Sequence, residues 1–322
     1  MENLEKNRNA ISAGIYHYEI PIQSDWAAWQ LGLQCKRTSM GLRKIFRWDL
    51  LGNIERRSKN ILRLGYLAIK RLPGWSRSLG VIPGLVAEIQ LRKAQTRKDG
   101  VFRIWCGWKR RLVLRNGSTD LNVFEQHFLR REILDIDFPK NNISTILDLG
   151  ANIGVSVEVF NRLFPKANII AIELEKENME MCRINHGDNR NVSMINGAIW
   201  SETGRVGLQD VGDGSWAFQV DDKQDYNTVP AYTYSDILEI HNIERIDIMK
   251  MDIEGAEAAV LEASADEIFS TTTISIIEVH NWIDGIEERV SEVIKKCKDK
   301  YSLDISHNGE LLIVKNMDLL CK

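Results

Sequence analysis

Two glycines and an acidic residue mark a turn that could hold a ligand. Asp148 follows the apolar run 144–147, and Gly150 and Gly154 come before a helical pattern over residues 155–164. A glycine turn between a strand and a helix lets backbone N–H groups face a bound ligand. However, the middle glycine of the dinucleotide motif G-x-G-x-x-G is missing, and a carboxylate at position 148 would repel a phosphate. The turn therefore suits a cationic ligand.

A second acidic residue extends this site. Glu173 ends the strand predicted over residues 168–172 and lies 23 residues beyond Gly150. An acidic side chain at that place can hydrogen-bond both hydroxyls of an adenosine ribose. A ribose joined to a cationic amino-acid tail describes S-adenosylmethionine, although the same unit occurs in many doubly wound domains and alone fits another nucleotide equally well. We predict cofactor contacts from Asp148, Gly150, Asn152, Gly154, Glu173, Ala198 and Asp252.

Two carboxylates follow a later strand. Asp252 and Glu254 come directly after the fourth strand of the alternating region, predicted over residues 246–251. Because ligands bind beyond the carboxyl ends of parallel strands, near the point where the strand order reverses, both should lie beside the glycine turn. Two residues apart on extended chain, their side chains can point the same way. Capping the next helix is the alternative role of Asp252, whereas Glu257 is expected to face solvent.

His280 follows the fifth predicted strand, residues 273–279, and the same argument places it at the rim of the pocket. A histidine there could be a general base, a metal ligand or a structural partner. Asp252, Glu254 and His280 are the candidate catalytic residues and also the candidate ligands of an Mg-type divalent cation. Either role would help a hydroxyl lose its proton, and the sequence leaves both open.

Strand and helix patterns alternate from residue 143 onwards. Seven strands are predicted, with helices between the first five and after the fifth, at residues 144–149, 168–173, 192–199, 246–251, 273–279, 301–306 and 310–315. This alternation predicts an α/β fold with a mostly parallel, Rossmann-like sheet that is covered on both faces. The last two strands, joined only by residues 307–309, form a C-terminal antiparallel hairpin. That arrangement fits a class I methyltransferase better than a dehydrogenase.

The first hundred residues differ in composition from the rest. Residues 1–100 carry 18 Lys and Arg against 8 Asp and Glu, whereas residues 101–322 carry 24 against 37. The first part is predicted as a basic, mainly helical N-terminal extension, punctuated by Pro73-Gly74 and Pro83-Gly84, with a helix from Leu85 to Lys98. The second part, which opens with a hairpin over residues 101–115, is predicted as the catalytic domain.

Charge and cysteine content argue against several classes of protein. The acidic second part lacks the clustered Lys and Arg that binding to a nucleic-acid backbone requires. Five scattered cysteines without a C-x-x-C pair indicate reduced thiols rather than a disulfide framework or a zinc site. Because no run of 18 apolar residues occurs and the N-terminus lacks an apolar signal segment, we expect a cytoplasmic protein. The oligomeric state stays open.

These motifs resemble the FkbM family of S-adenosylmethionine-dependent methyltransferases over residues 112–315. Four stretches carry the resemblance, and the last is the most specific: residues 114–120 (LRNGSTD), 146–154 (ILDLGANIG), 170–173 (IAIE) with Glu177, Asn178 and Asn185, and 250–257 (KMDIEGAE) leading to 277–279. The family often has Glu-Pro where this chain has Glu173-Leu174, and Leu-Asp where it has Ser235-Asp236. Neither departure changes the predicted cofactor contacts, but the second leaves the acceptor-binding side less defined.

The resemblance implies O-methylation of a hydroxyl on a sugar of a glycan or glycolipid, or on a secondary metabolite. Ser118, Thr119 and Asp120 would then close the acceptor pocket, or else only cap the helix that begins near Leu121. Two other functions stay open: a non-catalytic adenosine-binding scaffold with a membrane-binding basic segment, and an NAD-dependent oxidoreductase. The carboxylates after residue 251 argue against the scaffold, and the missing middle glycine argues against the oxidoreductase.

A basic segment lies before the predicted catalytic domain. Residues 36–77 contain 12 Lys and Arg but only Asp49 and Glu55 as acidic residues. One account is a helical face that is solvated or docks on the acidic domain. The other is peripheral contact with an anionic membrane, in which apolar side chains enter the interface beside the basic ones. That contact would place the active site near a lipid-linked glycan.

Vesicle sedimentation distinguishes the two accounts of this segment. Each basic residue near an anionic surface contributes about 1 kcal/mol, so even half of them would hold the protein there at moderate salt. A membrane segment predicts enrichment on anionic but not neutral vesicles, which weakens as salt shortens the Debye length and disappears when the segment is removed. A solvated or docked face predicts no enrichment even at low salt.

Overall fold

The computed structural model describes residues 70–106, 110–139, 143–207, 209–210, 216–217, 228–280 and 283–321. These residues all belong to one compact unit, Ser58–Lys322. Residues 36–69, which make up most of the basic segment, lie outside the described residues. Among the helices in the described ranges, none is both long enough and apolar enough to span a bilayer.

The helices and strands alternate through most of the described chain. The described helices are α1 (residues 70–79), α2 (Val81–Gln95), α3 (Asp120–Glu125), which continues into a π-helical turn (Gln126–Arg130), α4 (Val155–Leu163), α5 (Lys176–His186), α6 (Tyr234–His241), α7 (Glu257–Thr271), α8 (Ile286–Lys298) and α9 (Met317–Leu320). The described strands are β1 (Val101–Trp105), β2 (Arg111–Arg115), β3 (Thr145–Leu149), β4 (Asn168–Glu173), β5 (Val192–Asn196), β6 (Ala198–Ile199), β7 (Gly204–Gly207), β8 (Gln209–Asp210), β9 (Trp216–Ala217), β10 (Thr228–Tyr232), β11 (Ile246–Met251), β12 (Thr272–Glu278), β13 (Leu303–Asn308) and β14 (Leu311–Asn316).

A seven-stranded sheet forms the centre of the unit, in the order β13-β14-β12-β11-β3-β4-β5. The strands from β12 to β5 are mutually parallel, and β14 runs antiparallel to both β12 and β13. This is the predicted Rossmann-like fold of class I methyltransferases, including the C-terminal antiparallel hairpin. The order reverses at β3, whose neighbours are β4 and β11, so the carboxyl ends of these strands form the edge where such sheets bind ligands.

Alternation along the buried strands separates two hydrophobic clusters. In β3, Ile146 packs in the cluster that contains Leu91 of α2 and Val157 of α4. The next residue, Leu147, packs in the cluster that contains Val260 of α7. Successive side chains of a strand point to opposite faces, so an unbroken apolar strand requires helices on both faces.

The helices before residue 101 share the core of the sheet domain. Trp75 is 0% exposed, its indole N–H donates to Glu88 Oε2 at 2.8 Å, and its ring stacks on Phe124 with the centroids 5.9 Å apart. The domain boundary that the sequence predicted after residue 100 falls inside this compact unit. Because removing residues 36–77 would delete a buried tryptophan, the vesicle comparison requires a deletion that ends at residue 69.

The helix predicted from Leu85 begins at Val81, so Pro83 and Gly84 lie inside its first turn rather than before it. Proline is tolerated there because the first N–H groups of a helix have no intrahelical partner. Glycine at position 84 lets α2 approach α1 closely, since a Cβ there would lie 2.7 Å from Cβ of Trp75. Pro83-Gly84, a pair that normally indicates a helix break, is thus part of a helix–helix contact.

The predicted strand 192–199 is wrong in one respect, because it divides at Gly197 into β5 and β6, which belong to different sheets. A Cβ at Gly197 would lie 2.8 Å from the backbone oxygen of Pro230, so glycine allows the chain to pass close to β10 there. Strand β6 pairs with β10, which also pairs with β7. This small sheet and the β8-β9 pair were not predicted.

The shared core predicts that Trp75 stabilises the whole sheet domain. Trp75→Ala should lower the free energy of unfolding by about 3 to 5 kcal/mol, as expected for removing a large buried aromatic side chain. Trp105→Ala, at a half-buried position of β1, should cost less. Urea denaturation followed by circular dichroism measures both. Equally small losses would show that α1 and α2 are not part of this core.

Candidate functional site

A pocket of about 480 Å³ opens at the carboxyl ends of β3, β4 and β11, where the strand order reverses. Most of the predicted site residues line it: Thr119, Gly150, Asn152, Glu173, Ala198, Asp252, Glu254 and His280. Four predicted residues are absent from its lining: Ser118, Asp120, Asp148 and Gly154. The ends of the parallel strands therefore bring residues from distant parts of the chain into one cavity.

The glycine turn has the expected shape but not the expected donors. Gly150 has φ +79°, and a Cβ there would lie 1.7 Å from the backbone oxygen of Asp252, so a side chain does not fit. The N–H groups of Gly150 and Ala151 both donate to the backbone oxygen of Ile172, at 2.9 and 3.0 Å. These two N–H groups are therefore used within the fold, and the predicted donors are left to the N–H groups at the start of α4.

Glu173 ends β4 at the wall of the pocket. Its two carboxylate oxygens accept hydrogen bonds from the N–H groups of Asn152 and Glu175, each at 2.8 Å. Burial outweighs these bonds and raises the pKa of Glu173 to about 7. These two bonds hold the carboxyl group in one position. A ligand that donates hydrogen bonds to it would favour the ionised form.

Asp148 and Gly154 support the turn from behind. Asp148 is fully buried and accepts a hydrogen bond from the Ser156 hydroxyl at 2.6 Å, and burial raises its pKa. Gly154 has φ +84°, and its backbone oxygen lies 2.7 Å from Nε2 of His186. Since neither residue lines the cavity, their predicted contact with a cofactor becomes an indirect role in shaping the turn.

Lys250 connects the glycine turn to the loop after β11. It was not predicted as a site residue from the sequence. Its Nζ lies 2.9 Å from Asp252 Oδ2, 3.7 Å from Asp148 Oδ1 and 3.3 Å from the backbone oxygen of Gly150. Burial disfavours the charge of Lys250, but the Asp252 and Asp148 carboxylates outweigh burial and raise its pKa. Burial likewise opposes ionisation of Asp252, yet Lys250 lowers the pKa of that carboxyl group. A lysine within an apolar strand was the available signal, because a buried charge requires a partner.

Glu257 does not face solvent, and that expectation is wrong. Its side chain is 0% exposed, and Oε1 accepts hydrogen bonds from His280 Nδ1–H at 2.8 Å and from the N–H of Ile253 at 3.0 Å. Burial would lower the pKa of His280, but Glu257 and the nearby Asp252 raise it to about 9. The bond at Nδ1 directs Nε2 of His280 towards Asp252 Oδ1, at 3.6 Å. Glu257 is thus the residue that orients the histidine.

Glu254 lies on the exposed side of the same histidine. Its Oε2 is 3.5 Å from His280 Nε2, while its side chain remains 61% exposed. The residue has φ +53°, a conformation that is uncommon for residues other than glycine. Glu254 and Asp252 both reach His280, but through a turn at residue 254 and not through the extended chain that the spacing argument assumed.

Two further lining residues were not identified from the sequence. Glu278, the last residue of β12, receives a long hydrogen bond of 3.4 Å from the Gln126 amide. Burial and the charge of Asp252 raise the pKa of Glu278 to about 7. His127 lies in the π-helical turn, is 5% exposed, and has no hydrogen-bond partner for Nδ1 among the described residues. Burial lowers the pKa of His127 to about 3.

Residues 118–120 have mixed roles. Asp120 is fully buried, and its carboxylate accepts hydrogen bonds from the Arg115 guanidinium at 2.7 Å and from the Arg115 N–H at 2.8 Å. The Ser118 hydroxyl donates to the backbone oxygen of Arg115 at 3.1 Å. Thr119 lines the pocket and stands at the N-cap of α3 without a side-chain capping bond. Of the three residues, Thr119 is therefore the one placed to contact a ligand.

Comparison with known proteins gives a family match for the central part of the chain. A sequence model described as the Methyltransferase FkbM domain matches residues 148–301. The 2-O-methyltransferase NoeI of Sinorhizobium fredii (strain NBRC 101917 / NGR234) is 26% identical over 147 residues. That alignment covers 40% of this chain and 60% of the relative, so the chain spans about 60% of the length of the curated relative.

Solved structures with a similar fold share little sequence with this chain. The crystal structure of a Methyltransferase FkbM from Methylobacillus flagellatus KT has 15% identity and a TM-score of 0.42, covering 55% of this chain and 44% of that one. The fibrillarin of Aeropyrum pernix, in complex with natively bound S-adenosyl-L-methionine, has 13% identity and a TM-score of 0.37, covering 67% and 82%. At these values neither likeness bears on function.

Proposed function

Because this chain belongs to the FkbM methyltransferase family, as the match over residues 148–301 indicates, we propose that it transfers the methyl group of S-adenosylmethionine to a hydroxyl oxygen. A carbon–oxygen bond forms while the carbon–sulfur bond breaks, and the hydroxyl proton leaves the acceptor. The acceptor is a sugar of a glycan or glycolipid, or a secondary metabolite. The Sinorhizobium relative is named as a 2-O-methyltransferase, which supports oxygen as the methylated atom.

The Glu173 carboxyl group at the pocket wall is the observation that carries this proposal. Two backbone N–H groups hold it in place, so its remaining lone pairs can accept hydrogen bonds from two ribose hydroxyls. Apolar lining residues offer a surface for the adenine ring: Ile172, Leu174 and Ile199. S-adenosylmethionine supplies a methyl group activated on a sulfonium sulfur. The carboxylates at the other side of the pocket favour that positive charge.

On the acceptor side, the protein must remove a proton from a weakly acidic hydroxyl. Asp252, Glu254 and His280 are the groups proposed for this step. Of the carboxylates of Asp252 and Glu254, that of Asp252 is the more readily ionised. Lys250 lowers the pKa of Asp252, whereas burial raises the pKa of Glu254. Glu257 holds the imidazole of His280 in one orientation. Precise placement of the acceptor oxygen supplies much of the rate of such a displacement.

The two other functions are less well supported. An NAD-dependent oxidoreductase would bind a pyrophosphate at the glycine turn, but the N–H groups of Gly150 and Ala151 already donate to Ile172. A non-catalytic scaffold would not need Asp252, Glu254 and His280 within reach of one another. Calorimetric titration with S-adenosylmethionine and with NAD separates the oxidoreductase from the other two functions, and transfer of a labelled methyl group separates the methyltransferase from the scaffold.

Glu173→Ala should weaken the binding of S-adenosylmethionine by about 1.5 to 3 kcal/mol, because charge-assisted hydrogen bonds to the ribose are lost. Isothermal titration calorimetry on the two folded proteins measures the difference. Binding should also depend on pH. Since ribose hydroxyls favour the ionised carboxylate, affinity should be greatest above the pKa of about 7 and should fall as the pH decreases below it.

Glu173→Gln provides the control for this pH dependence. The amide keeps the shape of the side chain but cannot ionise, so its affinity should be lower and nearly constant across the same pH range. Equal affinity in Glu173→Ala and the unchanged protein, or a preference for NAD, would contradict the cofactor assignment.

Asp252→Asn and His280→Ala should each lower turnover on the order of 100-fold or more, the usual contribution of a general acid–base group. Asp252 accepts the proton, and the protonated imidazole of His280 lies beside that carboxylate. Most of the cofactor affinity should remain, because the proposed contacts to the ribose are made by Glu173. Transfer of a labelled methyl group to a panel of polyhydroxylated acceptors measures turnover, and calorimetry measures binding. A variant that loses cofactor binding but keeps its turnover at saturation would reverse the assigned roles.

A further inference from the structure

We propose that Asp252, Glu278 and His280 bind one divalent cation of the Mn²⁺ class at the acceptor side of the pocket. One ligand atom from each residue lies within 4.8 Å of the others. Ligands at about 2.1 Å from a cation stand at most about 4.2 Å apart, so small side-chain adjustments would close the site. The cation's role in methyl transfer rests on the proposed function, whereas its binding does not.

The histidine is already oriented as a ligand. Glu257, fully buried, accepts the hydrogen bond from Nδ1–H of His280 at 2.8 Å. In metal sites, a carboxylate that binds one imidazole nitrogen fixes the ring and presents the other nitrogen to the metal. The Ile253 N–H donates to the same oxygen of Glu257, so the carboxylate itself is fixed. Nε2 of His280 is therefore the nitrogen presented to the cation.

Asp252 and Glu278 each keep one carboxylate oxygen as a ligand for the cation. Lys250 lies 2.9 Å from Oδ2 of Asp252, while Oδ1 faces Nε2 of His280 at 3.6 Å. Glu278 lines the pocket, and the hydrogen bond it receives from Gln126 is long at 3.4 Å. The four carboxyl groups of Asp252, Glu254, Glu257 and Glu278 outnumber the two basic groups of this corner, Lys250 and His280.

Glu278 replaces Glu254 in the ligand set that the sequence suggested. Both carboxylates lie near His280, but the compact group of ligand atoms contains Glu278. The Glu254 side chain is 61% exposed and approaches the histidine from the solvent side. Glu278 ends β12, and a residue on a strand of the central sheet is held more firmly than one on a loop. The two residues therefore form a matched pair for experiment.

Beside the proposed site, His127 adds a buried polar group without a protein partner in the described part of the chain. This imidazole is 5% exposed and lines the pocket, and its Nδ1 has no hydrogen-bond partner among the described residues. Buried nitrogen atoms of this kind are normally satisfied by a protein group or by ordered water. Nδ1 is closed off from the cavity, so a rotation of the ring would be needed before a water molecule bound to the proposed cation could reach it. The π-helical turn that carries His127 is also typical of functional sites.

The ligand types indicate which cation would bind. Carboxylates suit Mg²⁺, Ca²⁺ and Mn²⁺, whereas imidazole is a ligand of transition metals, so two carboxylates and one imidazole together favour Mn²⁺. A cation at this place would make a coordinated hydroxyl more acidic. His280 would then act as a metal ligand, and not as the group that accepts the proton.

Titration of the metal-stripped full-length protein with Mn²⁺, without S-adenosylmethionine, tests the site. Calorimetry should show one bound ion, and pulsed electron paramagnetic resonance should detect nitrogen coupling from one imidazole. Glu278→Gln should weaken Mn²⁺ binding about 10-fold or more, while the matched Glu254→Gln should change it by no more than about twofold. Circular dichroism confirms that each variant is folded. If Glu278→Gln does not fold, the nitrogen coupling in the unchanged protein decides.

Two outcomes would overturn the proposal: no saturable Mn²⁺ binding without substrate, or equal weakening in Glu278→Gln and Glu254→Gln, which would indicate diffuse attraction to acidic residues. Calorimetry with S-adenosylmethionine on the same preparation separates this failure from that of the proposed function. Cofactor binding without Mn²⁺ binding refutes the metal site alone. Absence of cofactor binding refutes the methyltransferase proposal, whatever the metal result.

Discussion

The buried ammonium group of Lys250 is the interaction on which the rest of the site depends. Strand pairing places Lys250 opposite Asp148, and the side chain reaches both that carboxylate and Asp252 two residues later. A buried charge is stable only with partners, and removing one member of such a set typically costs about 3 to 5 kcal/mol. The register of β11 against β3 is thus linked to the position of the loop after β11, which carries Asp252.

From Lys250, the polar contacts extend in two directions. Towards the glycine turn, Asp148 binds the hydroxyl of Ser156 at the start of α4 and so supports the turn. Towards His280, the loop after β11 leads into α7, where Glu257 binds both the backbone and the imidazole. These polar contacts keep the site geometry fixed before any ligand arrives, which is what orientation-dependent chemistry requires.

The sequence predicted the architecture well because parallel strands buried on both faces read as apolar runs. The same reasoning found Asp252, Glu254 and His280, since each directly follows such a run. This reasoning failed where the contact partner of a side chain lies far away in the sequence. A glutamate in the first turn of a helix ordinarily faces solvent, and nothing near Glu257 shows that His280 will cover it.

Other features have no local signal at all. His127 reaches the pocket through a π-helical turn, which has no simple sequence pattern, and α2 has apolar residues on two faces, so its pattern does not show which face meets the core. The small sheet of β6, β10 and β7 joins segments that are distant in sequence. Such contacts follow from tertiary packing, which overrides local preference.

The aromatic residues behind the pocket have a consequence for how remote parts of the chain can influence it. Phe124 and Phe128 stack with their centroids 4.7 Å apart, and they flank the residues of the π-helical turn that line the cavity. Phe124 in turn stacks on Trp75 of α1. Close-packed rings transmit displacement instead of absorbing it. A displacement of α1 would therefore shift one wall of the candidate site, without a change at any of the polar groups on the opposite wall.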